Sequence, residues 1–276
     1  MSGLVVNTNM NALTIENTLS NTNAAVSGSL EKLSSGLRIN SAQDDPAGFA
    51  IANSFKASIA SMQVASQNAN QANSMLQTAD GAYSQINNIL VQMKSLATEA
   101  ASGQESGTNL TSLQGEFSDL SNEINSIANS TQYGNSFLIN GSVSGAITFQ
   151  VGATNDSNDQ IGLTFNSATA TALGVNALNI SSNSGAQAAM TTLDTALTSI
   201  NAFMGDVGSS QNQLQYTINN LTTSIQNYTA STSTIEDVDM AAEVSNMTKN
   251  QILQQSAMAM LAQANAQPQS ILKLLG

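Results

Sequence analysis

The feature that most constrains this chain is a regular spacing of apolar residues in its first half. Between residues 69 and 100 these positions are separated alternately by three and four residues, at Ala69, Ala72, Leu76, Ala79, Tyr83, Ile86, Leu90, Met93, Ala97 and Ala100. A period of about 3.5 residues is typical of the contact face of a long helix in a coiled coil. Since alanine is frequent on this face, a partner helix can approach closely. The sequence therefore predicts a long helix that needs a helical partner.

Similar spacing predicts three further helical segments. The first covers residues 15–33 and ends at Gly36, and the second covers residues 110–127 after a loop around residues 103–107. The third covers residues 189–228, where three of the contact positions carry small hydroxyl side chains, Ser210, Thr217 and Ser224. A break near residues 231–235 precedes a last helix, predicted from Asp237 to about Gln267 and ended by Pro268.

The period changes near the middle of the chain. Residues 146–152 and 160–166 are short strand-like runs that flank a turn rich in Asn and Asp, which predicts a β-hairpin. Residues 40–46 and 167–185 are predicted to be loops, the second with weak structure. The two helical halves can pair with each other or with other copies of the chain. An ordinary helical bundle with a hairpin explains the same spacing, because periodicity predicts architecture and not function.

Composition excludes several functions. Among the 276 residues there is no Cys and no His, which removes disulfides, Cys/His metal sites and every nucleophile that needs a histidine base. No cofactor is expected. The formal net charge is −12 with only 6 Lys and Arg, so nucleic acid and anionic membranes are poor partners. The sequence contains no run of about 20 apolar residues, which is the length needed to span a bilayer. Residues 1–30 contain no cation and no long apolar block, so no cleavable secretory signal is expected.

Two segments carry a family resemblance. Residues 33–52 read LSSGLRINSAQDDPAGFAIA, and residues 235–275 read IEDVDMAAEVSNMTKNQILQQSAMAMLAQANAQPQSILKLL. Both resemble the signature segments of bacterial flagellins, at the expected distances from the two termini. The resemblance continues through residues 86–103, 112–140 and 149–152. Longer flagellins carry outer, variable domains between the helical halves, so this chain resembles a minimal flagellin.

The resemblance implies a fold and a function. The fold is mainly α, a long antiparallel coiled-coil helical bundle with a small β-hairpin and with the N- and C-terminal helices paired. Residues 1–45 with 236–276 would form a terminal coiled-coil domain, the inner core of the filament. Residues 46–235 would form a helical rod domain with the hairpin near residues 146–166. The function is that of a structural subunit that assembles into the flagellar filament. The alternative is a hook–filament junction protein, which shares flagellin-like ends.

The resemblance also implies partners and a location. The expected partners are further copies of the chain, the filament cap and hook-junction proteins, and an export chaperone that binds residues 238–275. The expected location is extracellular, in the filament, after type III export. Some flagellins house a metalloprotease insert, but that activity needs a His–Glu–x–x–His site, which a chain without His cannot form.

Ten residues are predicted to contribute to packing between subunits or to the loop beside them. Arg38 is predicted to form an ion pair with Asp44 or Asp45, either within the loop or between subunits, with a solvated surface pair as the alternative. Pro46 is expected in the first turn of the next helix, after an Asp cap. The full set is Leu19, Val26, Leu33, Arg38, Asp44, Asp45, Val244, Ile252, Met260 and Leu261.

A second set concerns an innate immune receptor of animals, which by resemblance would recognise the helix around residues 86–100. In this chain the central Arg of that stretch is replaced by Gln92. Neither Gln92 nor the nearby Lys94 can replace the bidentate guanidinium, so weak or absent recognition is predicted, although Leu96 and Glu116 match.

Overall fold

The computed structural model describes residues 9–102, 107–143 and 145–275, with side chains as far as residue 267. In these residues the helices are α1 (Met10–Ser35), α2 (Pro46–Ala100), α3 (Gly107–Ser130), α4 (Asn183–Glu236) and α5 (Met240–Leu275). The short strands are β1 (Gln132–Tyr133), β2 (Ser136–Phe137), β3 (Ile147–Gln150) and β4 (Gln160–Leu163). The mainly α fold with a small antiparallel hairpin is confirmed. The predicted loop around residues 103–107 lies largely outside the described residues.

The chain forms two compact units. Unit 1 consists of Met1–Ala57 and Asn227–Gly276, and unit 2 consists of Ser58–Gln226. The predicted terminal domain, residues 1–45 with 236–276, falls within unit 1. Its assignment to the inner core of a filament, and that of residues 46–235 to a rod, remain predictions.

Unit 2 is organised around the apolar face of α2. All ten contact positions predicted between Ala69 and Ala100 are buried. They lie in one core with Phe117 and Ile124 of α3 and with Leu193 and Ile200 of α4. Farther along α4 the burial decreases, and the hydroxyl positions Ser210, Thr217 and Ser224 are half-buried. The three-four spacing therefore located the buried faces of α2, α3 and α4 within unit 2.

The predicted hairpin is confirmed as β3 paired with β4, with Phe149 opposite Ile161. Its loop closes on the carboxylate of Asp159, which accepts a 2.9 Å hydrogen bond from the backbone N–H of Thr154. A Cβ atom at Gly152 would lie 2.1 Å from Cγ of Asp159, so the close approach requires glycine there. A second hairpin, β1 with β2, turns at Gly134 with a φ of 61° and was not predicted.

The segment predicted as a loop with weak structure is a tightly packed part of unit 2. It has no helix or strand from residue 167 to residue 182, but five of its apolar side chains enter the main core. The side-chain oxygens of Asn125 and Gln114 accept hydrogen bonds from the backbone of this segment, at 2.9 and 2.6 Å. The expectation of weak structure was wrong because the apolar residues are isolated among small polar ones. They are Ala168, Ala170, Leu173, Val175 and Ile180.

Two predicted helix ends are also wrong. Instead of breaking near residues 231–235, α4 continues to Glu236, and the hydroxyl groups of Ser231, Thr232 and Thr234 donate to carbonyls one turn earlier. The last helix begins at Met240, where the Asp239 side chain caps it, and continues past Pro268 to Leu275. None of the helices in the described part of the chain is long and apolar enough to cross a membrane.

Candidate assembly surface

Helices α1 and α5 form an antiparallel pair in unit 1. The side-chain amide of Asn9 donates to the carbonyl oxygen of Ala264 at 2.9 Å, and Gln254 Nε2 donates to the side-chain oxygen of Asn23 at 2.6 Å. At the other end of the pair, Leu37 forms an antiparallel bridge with Asp237. The predicted pairing of the first and last helices is therefore confirmed.

Pro268 lies within α5 because its missing N–H is compensated. A helical residue four positions after Ala264 would normally donate to the Ala264 carbonyl, and proline has no N–H to do so. The Asn9 amide supplies that hydrogen bond from α1. The same side chain also caps α1, because its oxygen accepts from the backbone N–H of Ala12 at 3.1 Å. This compensation depends on a residue distant in sequence, so the sequence pattern around Pro268 did not reveal it.

The contact between α1 and α5 is made largely by small side chains. As far as residue 267, the buried residues of these two helices are Thr22, Ser29, Ala257 and Ala264. Four of the predicted packing residues are only half-buried, namely Leu19, Val26, Leu33 and Leu261. A pair held by Ala, Ser and Thr buries little apolar area, so it gains little free energy of folding from burial alone.

Several large apolar side chains of unit 1 are exposed. They include three further predicted packing residues, Val244, Ile252 and Met260. A contact with another molecule could bury these side chains. We refer to this set as the exposed apolar surface of unit 1; its α1 and α5 members are Met10, Leu13, Leu30, Met240, Val244, Ile252, Leu253, Met258 and Met260.

Asp44 and Asp45 stabilise the loop between α1 and α2 by accepting hydrogen bonds from backbone N–H groups. One carboxylate oxygen of Asp44 accepts from the backbone N–H groups of Asn40 and Ser41, at 3.1 and 3.0 Å. These hydrogen bonds, first that from Ser41 and then that from Asn40, lower the pKa of Asp44. The Asp45 side chain accepts from the N–H groups of Ala47 and Gly48. Asp45 is thus the predicted cap of α2, and Pro46 is the first residue of that helix.

The predicted ion pair of Arg38 is not formed within the chain. Among the described residues, ion pairs join Lys56 to Glu236 and Lys94 to Asp194, and neither Asp44 nor Asp45 pairs with Arg38. The guanidinium of Arg38 donates to the backbone carbonyl of Ile235 at 2.6 Å instead. The two aspartates accept hydrogen bonds from backbone N–H groups of the loop and of the first turn of α2. A role for these three residues between subunits stays a prediction.

Residues 36–38 and 235–238 form a clasp where α1 ends and α4 meets α5. The N–H of Arg38 donates to the carbonyl of Glu236 at 2.5 Å, and the N–H of Val238 donates to the carbonyl of Gly36 at 3.0 Å. Gly36 caps α1 with a φ of 74°, which side chains other than glycine rarely adopt. Nearby, the rings of Phe55 and Tyr228 pack edge to face with centroids 5.1 Å apart. The clasp fixes the start of α5 relative to the end of α1.

Within residues 9–102, 107–143 and 145–275, no group of three or more His, Cys, Asp or Glu side chains could hold a metal ion.

Comparisons with known proteins agree with this description. The family model described as "Bacterial flagellin N-terminal helical region" matches residues 6–144, and "Bacterial flagellin C-terminal helical region" matches residues 190–275. This chain belongs to the bacterial flagellin family. Among curated proteins, a "Flagellin" of Bacillus subtilis (strain 168) is 38% identical over 98% of this chain and 99% of its own length. The "Flagellar filament 33 kDa core protein" of Treponema phagedenis is 37% identical over 99% of this chain and all of its own length.

A solved structure also matches this flagellin. A crystal structure of Bacillus cereus flagellin is 34% identical to it, with a TM-score of 0.50, and the match covers 56% of this chain and 88% of that one. The match supports the helical fold described above.

The residues predicted to face an immune receptor differ in their exposure to solvent. In this flagellin Gln92 and Glu116 are exposed, whereas Leu96 is buried in the core of unit 2. Lys94 is half-buried and forms an ion pair with Asp194 of α4. The exposed part of the patch therefore offers a neutral amide and a carboxylate, with its lysine already paired. Recognition by a receptor remains a prediction.

Sequence reasoning missed three polar residues that hold unit 1 of this flagellin together, Asn9, Lys56 and Glu236. Asn9 precedes the first helical segment, and its N-cap character was a usable signal. Lys56 and Glu236 are 180 positions apart, and no local pattern connects them.

Proposed function

We propose that this flagellin is the structural subunit of a bacterial flagellar filament, and that it polymerises by burying the exposed apolar surface of unit 1 against other copies of itself. The observation that carries the proposal is that the fully buried residues described on α1 and α5 are small, while nine large apolar side chains of these helices are exposed. The names of the curated relatives, which are flagellins and filament core proteins, support the same function.

Burial of the exposed apolar surface of unit 1 favours assembly energetically. Each large apolar side chain transferred from water into a subunit contact contributes about 1.5–3 kcal/mol. Ile252, Leu253 and Val244 lie on α5 and Leu13 and Leu30 on α1, so both helices of the pair present such residues. A free subunit keeps this surface hydrated and stays soluble, while the polymer gains from its burial.

Further partners and the location follow from the family. Before assembly, the export chaperone would bind residues 238–275, which comprise α5 and the two residues before it. It would thereby shield the same apolar side chains from water. Cap and hook-junction proteins would contact the filament ends, and innate immune recognition would be weak. The protein would act outside the cell, as part of the filament. Its role is mechanical rather than enzymatic, in keeping with a structural family.

A hook–filament junction protein is the alternative that shares flagellin-like ends. The matched regions here extend well beyond the ends, through residues 6–144 and 190–275. Curated flagellins also align with almost the whole chain. These matches support a filament subunit over a junction protein.

The proposal is tested by making part of the surface polar. The variant Ile252→Gln/Leu253→Gln keeps good helix formers on α5 and removes two exposed apolar side chains. We expect its critical concentration for polymerisation to rise by about tenfold or more, because two apolar contacts are lost per subunit. Circular dichroism of the monomer should be unchanged.

A matched control replaces the exposed polar neighbours on the same helix, Gln255→Ala/Ser256→Ala. Its critical concentration should stay within about twofold of the unmodified chain. Equal critical concentrations for the Ile252/Leu253 variant and the unmodified chain would refute a role for this surface in polymerisation.

A further inference from the structure

We propose that the exposed methionines of unit 1 are a site of oxidation by peroxides, and that their oxidation stops free subunits from assembling. The residues are Met10, Met240, Met258 and Met260. The chemical class of the oxidant is a hydroperoxide, with hydrogen peroxide as the simplest member. The inference rests on the proposed function, because it concerns the surface that assembly would bury.

The described methionines differ in exposure, and the four most exposed ones lie in unit 1. In unit 1 the four named residues are 62%, 50%, 49% and 59% exposed, in that order. In unit 2 Met62, Met75 and Met93 are 6%, 7% and 0% exposed. The other described methionines, Met190, Met204 and Met247, are half-buried. Since peroxide must reach the sulfur atom, oxidation falls first on the exposed set.

The composition of the chain makes these sulfur atoms the expected sites of reaction with a peroxide. The chain has 11 Met but no Cys and no Trp. A thiolate would otherwise be the first group to react with a peroxide. Without one, the thioether of an exposed methionine is the most readily oxidised group that the described surface offers.

The reaction is balanced with the peroxide as the only co-reactant. A lone pair of the methionine sulfur attacks one oxygen of hydrogen peroxide, an S–O bond forms, and the O–O bond breaks. The sulfur loses two electrons, and the second oxygen leaves as hydroxide. The proton of the oxygen now bound to sulfur passes to this hydroxide, which gives the sulfoxide and one water molecule. The product replaces a flexible apolar side chain with a polar one.

The positions make this change costly for assembly. Met258 and Met260 are two residues apart on α5, so they lie about 200° apart around the helix and affect two of its faces. Met10 begins α1 and Met240 begins α5, so both ends of the antiparallel pair are affected. A sulfoxide must lose its hydrating water when its surface is buried, which costs free energy that the thioether does not lose. In an assembled filament the same atoms are covered, so the polymer is protected.

The test compares free subunits with filaments under the same hydrogen peroxide treatment. Peptide mass spectrometry then measures sulfoxide at each methionine. In free subunits we expect the four exposed residues to oxidise about tenfold faster than Met62, Met75 and Met93, and about tenfold faster than the same four residues in filaments. Treated subunits should elongate filament seeds at least about tenfold more slowly, and methionine sulfoxide reductases A and B should restore elongation.

The control is the variant Met10→Leu/Met240→Leu/Met258→Leu/Met260→Leu, which is conservative in volume and cannot form these sulfoxides. It should elongate seeds before treatment and keep its rate after treatment. If unmodified subunits assemble equally well before and after oxidation at these residues, this proposal is overturned and the proposed function stands. If untreated subunits do not assemble at all, the proposed function fails and this proposal fails with it. Loss of assembly by the treated leucine variant would also overturn it, because another residue would then be responsible.

Discussion

The ammonium group of Lys56 lies 2.6 Å from one carboxylate oxygen of Glu236 and 2.8 Å from the other. The Glu236 side chain is only 3% exposed, whereas Lys56 is half-exposed. The pair joins α2 to the last residue of α4, beside the clasp that begins α5. A buried carboxylate without its cation would be strongly unfavourable, so the pair fixes the position of Glu236 even where it adds little net stability.

We predict that Lys56→Met lowers the free energy of unfolding by about 1–3 kcal/mol, because Glu236 is left buried without a partner. Replacing both residues, as in Lys56→Met/Glu236→Leu, should recover most of that loss, since no unpaired charge remains. Urea unfolding of the monomer measures both values. A double variant as unstable as the sum of its single variants would contradict the explanation.

The hydrogen bond from Asn9 to the Ala264 carbonyl gives a second prediction. Asn9→Ala should destabilise unit 1 by about 1 kcal/mol or slightly more, because a helix cap and a hydrogen bond to α5 are lost together. In a Pro268→Ala background, α5 can satisfy Ala264 with its own N–H, so Asn9→Ala should cost less there. A double-mutant cycle by urea unfolding measures the difference. Equal costs in both backgrounds would show that Asn9 does not compensate for Pro268.

Buried Tyr83 makes unit 2 sensitive to alkali. Its hydroxyl donates to the carbonyl of Asn166 at 2.7 Å, and burial raises the pKa of Tyr83 well above its ordinary value of 10.0. Because the folded-state pKa exceeds the unfolded one, the stability from the neutral phenol is fully present below pH 10 and is lost as the pH rises above it. We expect urea midpoints to fall above pH 10, and to fall less in Tyr83→Phe. The same alkaline decrease in both proteins would remove Tyr83 as its cause.

The contribution of Asp44 to stability depends on pH in the opposite direction, because it is lost in acid. Backbone hydrogen bonds from Ser41 and Asn40 lower the pKa of Asp44 below its ordinary value of 3.8. Its contribution is therefore present above pH 3.8 and is lost as the pH falls through the lower folded-state value. We expect the amide signals of Asn40 and Ser41 to shift in NMR spectra below pH 3.8, and to resemble their acid positions already at neutral pH in Asp44→Asn. Unchanged amide shifts in that variant would contradict the role of Asp44.

The helical cores could be predicted from the sequence because their information is local and periodic. The alternation of three and four between Ala69 and Ala100 identified ten buried positions without error. The cap by Asp45 and the end of α1 at Gly36 were also predictable, since each depends on residues within one turn.

The predictions from sequence were wrong where contacts between residues distant in the sequence determine the structure. Helix α5 passes Pro268 because Asn9, more than 250 positions earlier, supplies the missing donor. Arg38 contacts the carbonyl of Ile235, almost 200 positions away, rather than the aspartates a few residues away. The buried apolar side chains between residues 168 and 180 lie in one core with α2, α3 and α4. No periodic pattern within the segment predicts this burial.

The central claim is that this chain is a filament subunit that polymerises through its terminal helices. Its most direct test is seeded growth, in which the purified chain is added to sheared filaments of the bacterium that produces it and followed by electron microscopy. A copy that ends before Ile235 is run beside it, with its monomer fold checked by circular dichroism. We predict that the intact chain extends the seeds into long filaments in proportion to its concentration, and that the truncated copy does not. Failure of the intact chain to elongate the seeds, or equal growth by the truncated copy, would contradict the account.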